Sequence, residues 1–207
     1  MFITFEGVEG CGKTTQVRRL AAWMESRAFR TLVTREPGSA AISESIRALV
    51  LDARTTGMEA LTEALLYEAA RAQFVAEVVR PALVVGTTVI CDRYADSTLA
   101  YQGYGRGLSL ALLDTLNTIA TDGIVPDLTI LVDVPVAVGL VRRSKGGDWN
   151  RLDAAGHAFH QRVYDGYHIL ASRNDGGRWR VVDGTADEDS VAAAVRTVIT
   201  TALVPNA

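Results

Sequence analysis

The sequence predicts an α/β fold in which a mostly parallel, five-stranded sheet is flanked by helices and carries a short mobile lid. Short apolar, β-branched runs alternate along the chain with segments of helical periodicity. This alternation is typical of βαβ units, whose parallel sheet is covered on both faces. A length of 207 residues with 48% apolar side chains suits one domain with a single core, which we expect to span residues 1–207.

The expected elements follow from these patterns in chain order. The strands are expected at residues 2–5, 31–34, 87–91, 128–132 and 179–182. The helices are expected at residues 13–28, 39–51, 59–79, 110–120, 155–171 and 187–203, and Pro81 is expected to close the third of them.

The first expected strand leads into a phosphate-binding loop. The segment from Gly7 to Thr14, GVEGCGKT, fits the pattern G-x-x-x-x-G-K-[ST]. Glycines in such a loop let backbone N–H groups converge on phosphate oxygens, and the next helix presents its positive N-terminus to the anion. We expect Lys13 to reach the outer phosphates and the Thr14 hydroxyl to help hold Mg²⁺. The motif therefore predicts a three-layer fold of the P-loop NTPase type.

Polar residues also follow the other expected strands. The second strand ends at Arg35-Glu36, the third at Asp92-Arg93 and the fourth at Asp133. Ligands of parallel sheets bind beyond the carboxyl ends of the strands, so these side chains are expected to form one site. Asp92 would orient Mg²⁺. Arg35 and Arg93 each require an anion, which a second phosphate would supply, so the pattern favours a kinase of phosphorylated acceptors.

Two further segments leave alternatives open. The basic stretch around Gly146-Gly147, from about residue 142 to 152, is either a solvated helix end or a mobile lid that brings arginines to the transferred phosphoryl group. Tyr67 and Arg71 share one face of a helix, where they either pack in the core or stack on a base and bind its carbonyl.

Composition and charge exclude several other classes of function. A net charge of −3 gives no general attraction to nucleic acid or to anionic membranes. The two cysteines form neither a disulfide framework nor a metal cluster. Cys11 lies inside the loop, where a small filler is favoured over a reactive thiol. The first strand begins at residue 2 and no apolar run is long enough to span a membrane, so we expect no signal peptide and a cytoplasmic location.

Several segments together resemble the bacterial thymidylate kinases over nearly the whole chain. They are FITFEGVEGCGKTTQ at residues 2–16, TREPG at 34–38, YEAAR at 67–71, DRYADSTLAYQGYGRGL at 92–108, PDLTILV at 126–132 and NRLD at 150–153. The resemblance implies a homodimeric nucleoside monophosphate kinase that uses ATP and Mg²⁺ to convert dTMP to dTDP for dTTP synthesis, with a mobile lid.

The resemblance also implies roles for individual positions. The catalytic residues would be Lys13, Arg93, Arg143 and Arg151. ATP would be bound by Gly7, Gly10, Cys11, Gly12, Lys13, Thr14 and Thr15, and Mg²⁺ by Thr14 and Asp92. The dTMP site would comprise Glu9, Arg35, Tyr67, Arg71, Arg93, Ser97, Thr98, Tyr101 and Gln102.

Within that set the resemblance separates phosphate, sugar and base contacts. Arg35 and Arg93 would hold the dTMP phosphate. Glu9 would contact the deoxyribose 3′-hydroxyl, and Tyr101 would disfavour a ribose 2′-hydroxyl. The base would stack on Tyr67, with Arg71 at its carbonyl.

Two departures from the family pattern concern the loop after TREPG and the lid. Ser39 stands where the family usually has a second glycine. Gly146-Gly147 lie where a lid arginine is expected, which leaves Arg143, Lys145 and Arg151 as candidates for the catalytic cation.

Three other functions compete with this interpretation. A deoxynucleoside kinase would phosphorylate a 5′-hydroxyl and would need a carboxylate base, for which Glu36 is suitably placed in the sequence. A GTP-dependent switch commonly carries an N-K-x-D segment, and none occurs here. A nucleotide-binding scaffold would bind ATP without forming dTDP.

Overall fold

The computed structural model describes residues 1–146, 149–174 and 177–203. Its strands are β1 (Phe2–Glu6), β2 (Thr31–Arg35), β3 (Thr88–Asp92), β4 (Leu128–Asp133) and β5 (Trp179–Asp183). They pair in parallel in the order β2-β3-β1-β4-β5. The expected five-stranded parallel sheet is confirmed.

Each strand continues one residue beyond its predicted end, onto a polar side chain. Those residues are Glu6, Arg35, Asp92, Asp133 and Asp183. The backbone of a residue can pair in the sheet even where its side chain is polar, which an apolar pattern does not reveal. In this register Asp92 is paired with Phe5 on one side and with Arg35 on the other. The phosphate loop and the ends of β2 and β3 therefore meet at the carboxyl end of the sheet.

Helices cover both faces of the sheet. In chain order the described helices are α1 (Lys13–Glu25), α2 (Ala41–Leu51), α3 (Ala60–Phe74), α4 (Arg80–Val84), α5 (Ala95–Thr98), α6 (Leu110–Thr121), α7 (Val136–Ser144), α8 (His157–Arg173) and α9 (Glu188–Leu203). Ile130 packs in a cluster with residues of α1 and α9, whereas its neighbour Leu131 packs on the other face with residues of α8. Successive side chains of a strand point to opposite faces, so this alternation places a core on each side of the sheet.

The prediction that Pro81 closes the third helix is wrong. A π-helical turn, Val75–Val79, joins α3 to α4, and the helix continues through Pro81 to Val84. Proline lacks a donor and crowds the carbonyl of the preceding turn, and the wider π turn lies at that point. The helix instead ends before Gly86, whose φ is 74°.

Two helical segments were not predicted from the sequence. The stretch after Arg93 forms α5 and a second π-helical turn, Leu99–Gly105. Helix α7 includes Arg142 and Arg143, which the sequence had assigned to the lid. Of the remaining expected lid, Gly147 and Asp148 lie outside the described residues. No helix in the described ranges is long and apolar enough to cross a membrane.

Candidate active site

The phosphate loop follows β1 and packs directly on the backbone of α7. Gly7, Gly10 and Gly12 have φ values of 143°, 71° and 95°, which a side chain would strain. A Cβ on Gly10 would lie 2.0 Å from the carbonyl oxygen of Gly139 in α7. The loop glycines therefore provide both the turn and a close backbone contact.

Lys13 lies inside the curve of this loop. Its Nζ donates to the carbonyl oxygens of Gly7, at 3.0 Å, and Val8, at 2.9 Å. The same nitrogen is 3.4 Å from Cys11 Sγ. Cys11 is buried, and its role as a small filler residue stays a prediction.

A hydroxyl and a carboxylate adjoin one another at the start of α1 and the end of β3. Thr14 Oγ1 donates to Asp92 Oδ2. Both are hard oxygen ligands of the kind that Mg²⁺ prefers, and Mg²⁺ usually keeps water and phosphate oxygens as its other ligands. The pair therefore fits a magnesium site beside bound phosphates.

Arg93 forms the centre of a partly buried polar cluster next to the loop. Its Nη2 donates to Glu9 Oε1 and to the Tyr101 hydroxyl, each at 2.8 Å. Its Nη1 donates to Tyr167, at 3.0 Å, and Ser97, at 3.2 Å. Arg93 has a φ of 73°, a strained backbone conformation that such contacts hold in place.

The carboxyl group of Glu9 is held in its charged form. Burial raises its pKa, but the positive charges of Arg93 and Lys13 and a hydrogen bond from Tyr101 outweigh burial and lower the pKa to about 2. An ionised carboxylate accepts hydrogen bonds and cannot donate them. Glu9 is thus suited to receive a hydroxyl of a ligand.

Two residues behind Arg93 were missed from the sequence, Glu6 and Tyr167. Glu6 is fully buried and accepts hydrogen bonds from the Tyr94 backbone N–H (2.8 Å), Ser97 Oγ (2.7 Å) and the Tyr167 hydroxyl (2.8 Å). Ser97 and Tyr167 also bind Arg93, so Glu6 holds in place two of the side chains that position the arginine. The one available signal was a carboxylate at the end of an apolar strand.

Two cavities adjoin at this cluster, one of about 1120 Å³ and one of about 100 Å³. The larger is lined by Gly10, Cys11, Gly12, Lys13, Thr14, Thr15, Arg35, Asp92 and Arg143, among others. The smaller is lined by Tyr67, Arg71, Ser97, Thr98, Tyr101 and Gln102, among others. Glu9 and Arg93 line both cavities. The expected ATP and dTMP residues therefore fall largely into two adjacent spaces.

Arg71 is more deeply engaged with the protein than its expected role suggests. It is buried, and its Nε donates to Glu36 Oε2 at 2.9 Å. Its Nη1 lies at hydrogen-bonding distance from Glu68 (2.6 Å), Thr98 (2.9 Å) and Asn117 (2.9 Å). Arg71 therefore fixes the wall of the smaller cavity as well as lining it.

Glu36, the candidate base of the competing deoxynucleoside kinase, is buried beside Arg71. Burial raises its pKa to about 7, although the charge of Arg71 opposes that shift. Glu36 lines both cavities, and its Oε1 has no hydrogen-bond partner within the described ranges.

Arg35 and Arg47 approach the site from β2 and α2. Arg35 lines the larger cavity and donates to Glu44 at 2.8 Å. Arg47, which the sequence did not single out, lines both cavities and donates to the carbonyl oxygen of Pro37 at 2.8 Å. In the sequence Arg47 is a polar residue of an amphipathic helix and belongs to no motif, so nothing indicated that it would line the site.

The lid arginines have separate partners. Arg143 binds the buried Asp153 through Nε and Nη2, at 2.8 to 3.1 Å. Arg142 donates to the carbonyl oxygens of Gly184 (2.8 Å) and Thr185 (3.1 Å), and both Arg142 and Gly184 line the larger cavity. These contacts place the end of α7 against the cavity that the phosphate loop lines.

Arg151 is directed elsewhere. Its Nη1 lies 2.6 Å from Glu63 on α3, its Nε donates to the carbonyl oxygen of Val50 at 2.9 Å, and it is absent from the described lining of both cavities. Lys145, at the end of α7, is also absent from those linings. The structure thus brings Arg143, and not Arg151, to the loop.

The expectation that Asp133 joins the site is wrong. Asp133 Oδ1 is 3.1 Å from His168 Nε2 on α8, and Asp133 lines neither cavity. The carboxyl end of β4 carries this local pair, and the larger cavity is lined by residues that follow β1, β2, β3 and β5.

Residues 5–195 match the family model described as thymidylate kinase. A thymidylate kinase of Thermomicrobium roseum is 53% identical over 200 residues, covering 96% of this chain and 94% of that protein. One from Gloeobacter violaceus is 50% identical over 201 residues, with the same coverage of each chain. The crystal structure of a thymidylate kinase from Ehrlichia chaffeensis superposes with a TM-score of 0.79 at 34% identity, covering 96% of this chain and 98% of that one.

Proposed function

The chain belongs to the thymidylate kinase family, and from this membership we infer that it transfers the γ-phosphoryl group of ATP to dTMP, forming dTDP for dTTP synthesis. One observation in the structure supports the inference above the others. A cavity lined by the phosphate loop adjoins a smaller cavity lined by aromatic and amide side chains, and Arg93 lines both. This arrangement suits two phosphorylated molecules that meet end to end.

The larger cavity is the proposed donor site. Backbone N–H groups from Gly7 to Thr15 would surround the ATP phosphates, with Lys13 at the outer ones. Thr14 and Asp92 would hold Mg²⁺, which when bound neutralises charge on the phosphate oxygens. Arg142 and Gly184, which also line this cavity, would border the adenosine.

The smaller cavity is the proposed acceptor site. Arg93 would bind the dTMP phosphate, with Arg35 approaching from the larger cavity. Glu9 would accept the 3′-hydroxyl, and Tyr101 would limit space beside the sugar. Tyr67 would stack on the base.

The reaction needs no general base in this arrangement. A phosphate monoester is already largely ionised near neutral pH, because its second pKa is about 6. Catalysis would consist of positioning and charge neutralisation around the transferred group by Lys13, Arg93 and a lid arginine. We favour Arg143 over Arg151 for the lid cation because Arg143 lines the donor cavity and Arg151 is bound to Glu63.

A coupled assay with ATP and Mg²⁺ tests this function. The acceptors would be dTMP, dUMP, dCMP and thymidine, and we expect rapid turnover with dTMP. The thymidine arm tests the alternative that Glu36 acts as a base toward a 5′-hydroxyl. Turnover of thymidine with none of dTMP would overturn the proposal.

Arg93→Ala should lower kcat/KM for dTMP by at least about 100-fold, because it removes charge-assisted hydrogen bonds of about 1.5–3 kcal/mol each. ATP binding, measured separately, should change little. Arg80→Ala is the matched control, since Arg80 forms an exposed ion pair with Asp122 and neither residue lines a cavity. Unchanged dTMP kinetics in Arg93→Ala would remove Arg93 from the acceptor site.

We also propose that the protein is a homodimer, as the family resemblance implies. The expected cytoplasmic location stays a prediction.

A further inference from the structure

Glu63, on α3, has no role in the proposed reaction, yet it collects an unusual set of donors. Its carboxylate is buried and accepts from Gln102 Nε2 at 2.7 Å. It also pairs with Arg106, at 3.1 and 3.2 Å, and with Arg151, at 2.6 Å. Gln102 is the only one of these three donors that lines the smaller cavity, among the residues that the structure describes.

The charge on Glu63 determines which way the Gln102 amide faces. Burial raises the pKa of Glu63, but hydrogen bonds from Arg106 and Gln102, together with the charges of Arg106 and Arg151, outweigh burial and lower it. An ionised carboxylate accepts hydrogen bonds only. Gln102 must therefore present its NH₂ group to Glu63. Its carbonyl oxygen, Oε1, is then the atom of this amide that is available to accept a hydrogen bond from a ligand in the cavity.

A neighbouring hydroxyl is fixed in the opposite sense. Thr98 Oγ1 accepts from Arg71 Nη1 at 2.9 Å, so its own O–H is available to donate. Among the groups that line the smaller cavity, Thr98 can thereby offer a donor and Gln102 an acceptor. Thymine and uracil present the complementary pair, a 4-carbonyl and an N3–H. Cytosine presents a 4-amino group and an unprotonated N3, which mismatch at both positions.

We propose that Glu63 is a specificity-determining positioning residue, which orients the Gln102 carbonyl so that the acceptor base must carry an N3–H group. The inference rests on the proposed function, since it concerns the base of the same acceptor. Because Arg151 binds the same carboxylate, the C-terminal part of the expected lid is anchored to Glu63.

Glu63→Gln tests the proposal. A glutamine at position 63 can donate to Gln102 Oε1 as well as accept from Nε2, so the Gln102 amide can adopt both orientations. We expect the ratio of kcat/KM for dTMP to that for dCMP to fall by at least about 10-fold, because a site built to hydrogen-bond a substrate group owes its discrimination to that fixed pattern. The loss should come from a higher KM for dTMP and a measurable rate with dCMP.

Arg106→Gln is the matched control. It removes an ion pair with Glu63 but leaves the carboxylate that orients Gln102. We expect a comparable loss of thermal stability with the dTMP:dCMP ratio retained. If the ratio falls equally in both variants, or in neither, Glu63 does not set the specificity and the proposal is overturned.

A second measurement uses the wild-type protein and does not depend on a variant that folds. dUMP retains the N3–H and should compete with dTMP, whereas N3-methyl-dTMP replaces it with a methyl group and should compete at least about 100-fold more weakly. Equal competition by N3-methyl-dTMP would overturn the proposal. A wild-type protein that converts none of these nucleotides would instead contradict the proposed function, so the two failures are distinguishable.

Discussion

At the scale of single residues, two glutamates near one another in the loop and its strand have opposite pKa shifts. Glu9 touches Arg93 directly and lies near Lys13, and its pKa is lowered to about 2. Glu6 is buried among hydroxyls and a backbone N–H, and burial and the charge of Asp96 raise its pKa to about 7. Direct contact with a cation, and not mere proximity to one, separates the two carboxyl groups.

Glu6→Gln should change how stability depends on pH. Because the pKa of Glu6 is higher in the folded protein than in the unfolded chain, the folded state binds more protons between about pH 4.5 and 7. The stability of the wild type therefore falls as pH rises through that window and is affected no further above it. Relative to wild type, the variant should gain roughly 1–3 kcal/mol of unfolding free energy between pH 4.5 and 8.

Urea unfolding at a series of pH values measures this difference. Glu77→Gln is the control, because Glu77 is an exposed residue of the helical segment after α3. Its curve should run parallel to that of the wild type. A parallel curve for Glu6→Gln as well would show that Glu6 does not titrate in this window.

At the scale of elements, the phosphate loop depends on a helix far along the chain. Gly139 of α7 faces the loop, and a Cβ at this position would lie 2.4 Å from the carbonyl oxygen of Glu9. That oxygen belongs to the backbone, so the contact can be relieved only if the loop or α7 moves. Helix α7 thus acts as a support for the loop and, through Arg143, places a cation beside it.

Gly139→Ala should therefore weaken ATP binding and destabilise the fold. Alanine is more favourable than glycine in a helix by about 1 kcal/mol. The variant would therefore be more stable than the wild type if the contact with the Glu9 carbonyl oxygen did not matter. We expect overpacking to dominate, with a net loss of about 1–3 kcal/mol of unfolding free energy and an increase in the KM for ATP. Val141→Ala, at an exposed position of the same helix, should leave the KM for ATP unchanged.

Elements with a local signal could be predicted from the sequence, and those that depend on packing could not. The phosphate loop is identified by its own residues, and the strands by apolar runs. The helix through Pro81 and the π-helical turn Leu99–Gly105 lack such a signal, because their geometry is set by neighbouring elements. Arg142 and Arg143 had the composition of a loop but end a helix.

At the scale of the whole molecule, the same limit applies to the site. Residues expected near phosphate, such as Lys13, Arg35 and Arg93, do line a cavity at the sheet edge. The partners that orient them are distant in sequence and carry no motif: Tyr167 binds Arg93, and Asp153 binds Arg143. Arg151 had the motif of a lid cation, yet its partner is Glu63 on α3. The sequence therefore predicts which residue types bind phosphate, whereas the tertiary contacts determine which arginine pairs with which carboxylate.

The proposed homodimer can be tested at the outer helices. Helix α3 packs on α2 and α6, and the three helices expose large apolar side chains: Ile42, Leu49, Leu61, Leu65, Leu112 and Ile119. Exposed apolar groups on neighbouring helices are typical of a protein–protein interface. Leu65→Glu places a charge on this surface and should convert a dimer to a monomer in light-scattering measurements after gel filtration.

Helix α3 also carries Tyr67 and Arg71, so the monomeric variant should bind dTMP more weakly than wild type while ATP binding changes less. Val181→Glu is the matched control, since Val181 is similarly exposed but lies on β5, at the opposite edge of the sheet from β2. It should remain dimeric with unchanged dTMP affinity. A wild-type protein that is monomeric at micromolar concentration would exclude the homodimer. A dimer that persists in Leu65→Glu and dissociates in Val181→Glu would place the interface elsewhere.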